Sequence, residues 1–342
     1  MKKRRCSTYE ISLATLIVLG LVFFQYPSTQ PVYAHTFSGA ENAGFIATVG
    51  VIRTEIRLVN NTAATNASLA NEHANFAVEH LSENDTKELS EKNERIGTDL
   101  PQYLGDLQNM TANLSPTDMT GITAIKQKVS DIDALLGEAL TVRIEATQLR
   151  NATVNAWAVA DLLNETLERY GEAIGIAENS STSLPTAEGN NSDVSTNVDT
   201  TTTPDNASTS NNTSTTIVNY AEYQSTRGLV NMTKEMLNEI KSLLGSNSST
   251  AITADSSSTN TTTATTMGDT TTTSNSNAIS KVHNDLNELE CLIDNNSSYI
   301  QVATFVYDTI YPDLNSAFGL GLEIVDVSEA IEEARSGEEE EE

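Results

Sequence analysis

The sequence predicts an all-α protein: one or two antiparallel helical bundles, interrupted by two disordered Ser/Thr-rich linkers. Three observations carry that expectation. Apolar residues recur at steps of three and four over most of the chain, no run alternates with period two for long enough to make a strand, and two tracts are almost devoid of large apolar side chains. Aromatics make up only 5% of the 342 residues and hydrophobic residues 38%. That is too few for every segment to belong to a packed core.

The elements follow in order. Lys2, Lys3, Arg4 and Arg5 precede an uncharged apolar run over 11–24, then Pro27 and Pro31, then Val32-Tyr33-Ala34 with small side chains at its first and third positions. This is the pattern of a signal peptide spanning 1–34, cleaved after Ala34. An uncleaved anchor is the competing reading, but the run is shorter than the ~20 residues a spanning helix needs. Export predicts an extracytoplasmic location, secreted or at the cell surface. Removing the leader takes away four basic residues and Glu10, leaving 15 basic and 46 acidic residues. So acidic a chain repels nucleic acid, and membrane contact is expected only through a retained leader. Cleavage also removes Cys6, so Cys291 is expected as a lone thiol, buried in its helix.

A first bundle is expected over 35–178. Its seams are Phe45, Val49, Ile52, Ile56 and Val59; Leu69, His73, Phe76 and His80; Leu89, Ile96, Leu100, Leu104 and Leu107; Ile122, Ile125, Val129, Ile132, Leu136 and Leu140; and Ala156, Ala160, Leu163, Leu167 and Tyr170. Ser115-Pro116 reads as an N-cap with proline at the first helical position, and Gly171 as a C-cap. The tract 179–216 holds 19 Ser or Thr and 245–277 holds 20, and neither can bury enough surface to offset chain entropy. Both are read as linkers. Between them lies a helix over 217–244, with Tyr223, Val230, Leu237 and Leu244 spaced at sevens. A helical segment over 278–335 follows, broken at Pro312, then an acidic tail over 336–342. The later helices either complete the first bundle or pair with one another.

Phosphate loops, nucleophile elbows, His-Glu-x-x-His and Cys-x-x-Cys motifs are all missing from the sequence, so no catalytic residue can be assigned and a non-enzymatic role is expected. Asn-x-Ser/Thr occurs seventeen times. The expected glycosylation sites are Asn60, Asn66, Asn84, Asn109, Asn113, Asn151, Asn179, Asn190, Asn206, Asn211, Asn247, Asn260 and Asn295, which fall in the tracts or where the apolar pattern breaks. Asn164 and Asn231 sit inside expected helices instead.

Four histidines offer the one alternative chemistry. His35 becomes the first mature residue, and its α-amino nitrogen and imidazole together suit Cu(II). His73 or His80 could supply a further imidazole. Glu83, three residues after His80, could add a ligand or orient the ring. Copper or another divalent metal is thus the one cofactor the sequence suggests; otherwise none is expected. A seam histidine is, however, more often a hydrogen-bonded core residue. His283 falls off its seam and carries no assigned role.

The stretch His35-Thr36-Phe37-Ser38-Gly39-Ala40-Glu41-Asn42-Ala43 resembles the mature start of a group of uncharacterised secreted helical proteins of ammonia-oxidising archaea. The regions around Glu72-His73 and Glu79-His80, from Glu91 to Pro101 and from Thr141 to Ile144 also resemble that group. The resemblance implies an exported archaeal helical protein and transfers no catalytic residue. The sequence as a whole is read as an exported, glycosylated, non-enzymatic helical surface or interaction protein with cell-surface or surface-layer partners. The alternative is an extracytoplasmic metal-binding protein.

Overall fold

A computed structural model of the protein describes residues 37–115, 117–176, 215–247 and 270–322. The fold is all-α, with no strand among the described residues. The helices are α1 Phe37–Thr62, α2 Ala67–Glu79, α3 Glu83–Lys92, α4 Glu94–Ala112, α5 Met119–Arg143, α6 Ala146–Leu149, α7 Ala152–Ala173, α8 Tyr220–Asn247, α9 Thr270–Asp294, α10 Tyr299–Phe305 and α11 Tyr311–Phe318. A π-helical turn, Val306–Ile310, joins the last two.

α1 is the hub. It packs on α2, α5, α7 and α8, and its predicted seam from Phe45 to Val59 is buried throughout. α2 approaches closely because Ala70, Ala74 and Ala77, all fully buried, keep its inner face thin. α8 can lie against α1 because Gly228 has no side chain: a Cβ there would fall 2.5 Å from Thr54 Cγ2. α8 also packs along α7, α9 lies on α8, and α10 and α11 rest on α7 and α9. The later helices therefore complete the first bundle, and one hydrophobic core runs from Ala43 to Leu320.

Local chemistry moved several expected boundaries. The third seam is two helices, because Asn93 adopts an extended backbone (φ −155°, ψ 100°) and its side chain caps α4 by accepting from Ile96 N. α5 starts at Met119 with Asp118 as its cap, accepting from Thr120 N and Gly121 N, rather than at Ser115-Pro116. Gly171 lies inside α7, which ends at Ala173; the left-handed residue after it is Gly175, at φ +78°. Pro312 does not break the C-terminal run. The wider π turn, closed by Tyr311 N–H on Val306 O, re-sets the ladder just before the residue that has no N–H to give. α8 and α9 extend into the stretch expected as the second linker, reaching Asn247 and starting at Thr270. The remainder of both tracts, the leader, and 323–342 lie outside the described residues.

Candidate functional site

Polar side chains collect along the inner faces of α1, α2, α7 and α8. His73 and Glu55 are both fully buried, and His73 Nδ1 lies 2.8 Å from Glu55 Oε2. Its Nε2 lies 3.0 Å from Gln224 Oε1 on α8. Whether the Gln224 amide turns its oxygen or its nitrogen to the ring sets the tautomer of His73. In either orientation both ring nitrogens are occupied. Glu55 Oε1 is buried without a hydrogen-bond partner.

Two turns further along α2, His80 Nδ1 lies 2.8 Å from Phe76 O, and its Nε2 lies 2.9 Å from Glu165 Oε1. Arg169 on α7 donates to Glu165 Oε1 at 2.8 Å and to Glu222 Oε1 and Oε2 at 3.0 and 3.1 Å. It also reaches Glu172 Oε2 at 3.5 Å and lies 4.8 Å from the centroid of the Phe76 ring. Burial works against a charge on His80, but the hydrogen bond and charge of Glu165 overcome it and hold the imidazole above its ordinary pKa. Burial also opposes charge on Glu165, and the opposing pull of His80 and Arg169 keeps its carboxyl below the usual value. For Glu222, burial wins over Arg169 and pushes the carboxyl up to about 7.

Glu165 and Arg169 stand four apart on one helix face, a spacing that could have named the pair although the sequence reading did not single it out. No such spacing marks Glu222 or Glu55. Glu222 reaches Arg169 across 53 positions and a Ser/Thr tract, and Glu55 reaches His73 across a helix turn-around. His80 takes Glu165 as its carboxylate. Glu83 is exposed in the first turn of α3. His35 lies outside the described residues, and His283 is half-buried with Nδ1 3.4 Å from Asn287. No group of three or more His, Cys, Asp or Glu among the described residues is placed to hold a metal ion. Cys291, expected as a buried lone thiol, is half-buried and disulfide-bonded.

A cavity of about 300 Å³ opens between the start of α1, α3 and the end of α5, lined by Glu41, Asn42, Glu88, Glu91, Lys92 and Arg143. Its cations are already engaged. Arg143 binds Asp85 and, at 2.7 Å, Glu88, and lies 4.1 Å from the Phe45 ring centroid, while Lys92 donates to Arg143 O at 2.8 Å.

The sequon asparagines lie at the outside of the bundle. Asn66, Asn84, Asn109, Asn113, Asn151, Asn164, Asn231 and Asn295 are exposed, and Asn60 and Asn296 are half-buried. Asn60, Asn84 and Asn109 sit within helices, not in breaks between them, though each is close to a helix end. Asn66 and Asn151 cap α2 and α7 through Oδ1, accepting from Leu69 N and Thr153 N. A sugar is attached through Nδ2, so the cap and the modification are compatible. Asn179, Asn190, Asn206, Asn211 and Asn260 lie outside the described residues; Asn247 ends α8.

No described helix is long and apolar enough to cross a membrane. No protein-family model, no curated protein and no solved structure shows a significant match to the chain.

Proposed function

We propose that the protein is exported, carries N-linked sugar on its helical bundle, and serves at the cell surface as a non-enzymatic interaction component. The observation that carries this reading is the placement of the sequons. All ten whose side chains are described are at least partly open to solvent, and the two that cap helices leave their modifiable nitrogen unneeded by the cap. The leader-like start of the chain supports export. A non-enzymatic role is supported by the use made of the interior charges. The Arg169 and His73 groups bind partners on neighbouring helices and so staple the bundle.

Mass spectrometry of the native protein tests the proposal. A chain starting at His35 with glycan mass on sequon peptides is the expected result. An unmodified chain starting at Met1 and recovered from the cytosol overturns it.

A further inference from the structure

Asp285 on α9 and Asp313 on α11 lie where those helices pack, away from the polar network around Arg169. One oxygen of each, Asp285 Oδ2 and Asp313 Oδ2, is buried and meets no donor. Lys281 binds Asp313 and stands one helical turn before Asp285 on α9, which brings the two carboxyl groups to one place, and a hydrogen bond between them is among the causes that raise Asp285. Lys281 Nζ donates to Asp313 Oδ1 at 2.5 Å, from a lysine that is 62% exposed to an aspartate that is 14% exposed. Two ionised carboxylates have no hydrogen to give and repel at such a spacing, so the contact requires a proton between them. We propose that the α9–α11 junction is a proton-operated latch, shut while Asp285 gives a hydrogen to Asp313 and loosened when Asp285 is ionised.

The surrounding charges agree with this. Burial, then the Asp313 carboxyl, pushes Asp285 up to about 7, and Lys281 pulls the other way. α8 meets α9 through Lys234 on Glu290 and Arg227 on Asp294, and Asp308 of the π turn is exposed. On α7, Asp161 acts on Tyr311, the first residue of α11. Because the folded value is raised, the stabilisation is complete below the ordinary carboxyl pKa of 3.8, weakens as pH rises, and is lost above about 7. Opening would uncover Tyr311, Leu314 and Ala317, the buried face of α11.

Amide hydrogen exchange on the full-length protein at pH 5.5 and 8.5, corrected for intrinsic rates, reads the latch. Protection over α11 is expected to fall roughly tenfold more than that of α4 at the higher pH. Asp285→Asn keeps a donor for Asp313 and cannot ionise, so its α11 should lose no more protection than α4 between the two pH values. Lys281→Met removes the cation that favours ionisation, and its transition should move to higher pH. A wild-type α11 that loses no more protection than α4, or the same excess fall in Asp285→Asn, overturns the latch. Should Asp285→Asn not fold, carboxyl-carbon NMR of the wild type decides: an Asp285 that titrates below pH 5 overturns it as well.

Discussion

α2 carries two histidines on one stripe, and the structure puts them to opposite uses. His73 is sealed between α1 and α8 with a fully buried glutamate. His80 sits at the rim, 17% exposed, in a network with Glu165 that is 20% exposed and Arg169 that is 11% exposed. The residue type and the seam position are the same. Depth decides the difference. A fully enclosed pair has only its partner to compensate for lost water, so removing one member strands the other, whereas a rim group exchanges protons with solvent and keeps part of its hydration.

The largest expected effect lies at the sealed pair. His73→Ala leaves the Glu55 carboxylate buried with neither oxygen paired, and should cost about 3–5 kcal/mol in urea unfolding. Replacing Glu55 and His73 together by Met should recover most of that loss. A single-mutant loss below about 1 kcal/mol would mean that the enclosure is not as tight as described.

At the rim, Arg169→Met deprives Glu222 and Glu165 of their shared cation, and about 2 kcal/mol is expected, less than at His73 because water can reach the site. Exchange protection of α8 should fall more than that of α4. If both helices lose protection equally, Arg169 is not what ties α8 to α7.

A smaller effect separates the two histidines by pH. The His80 pKa is raised, so its contribution is complete below 6.5 and disappears as pH rises through the folded value. Glu222, raised to about 7, acts in the same direction. Glu165, lowered, contributes above 4.5 and is lost on acidification. Wild-type stability should therefore decline from pH 5 to pH 8, and His80→Gln should flatten part of that slope. An unchanged slope in His80→Gln would remove the imidazole from the pH response.

The smallest effect tests a cap against a sugar. Asn151→Asp keeps the acceptor on Thr153 N and should change stability by less than about 0.5 kcal/mol, while Asn151→Ala should cost about 1 kcal/mol. Both variants should lose glycan mass at that site. Equal stability of the two would show that the α7 cap contributes nothing measurable.

Helix existence was largely legible. The seams through Ile52, Ile132 and Leu163 are buried as their spacing predicts. Ends were less so, because rival caps stand close together. Asp118 wins over Ser115, and Asn93 interrupts a seam whose apolar spacing continues across it. The polar interior could have been read only where partners share a helix face, as Glu165 and Arg169 do. The histidine stripe on α2 was visible as a stripe, but neither Glu55 nor Gln224 could be named as its partner, since each is brought there by packing between separate helices.

By itself, then, the sequence determined the helical class, the buried seams of the long helices α1, α5 and α7, and the polar tracts, because helical periodicity and composition are properties of neighbouring residues. Tertiary structure alone decided that α8 to α11 close onto the first bundle, that His73 is sealed and His80 is not, and that Asp285 meets Asp313. Those outcomes depend on which faces come together across long stretches of chain, and there a missing side chain such as that of Gly228, or a buried charge in need of a counter-charge, selects one docking over another.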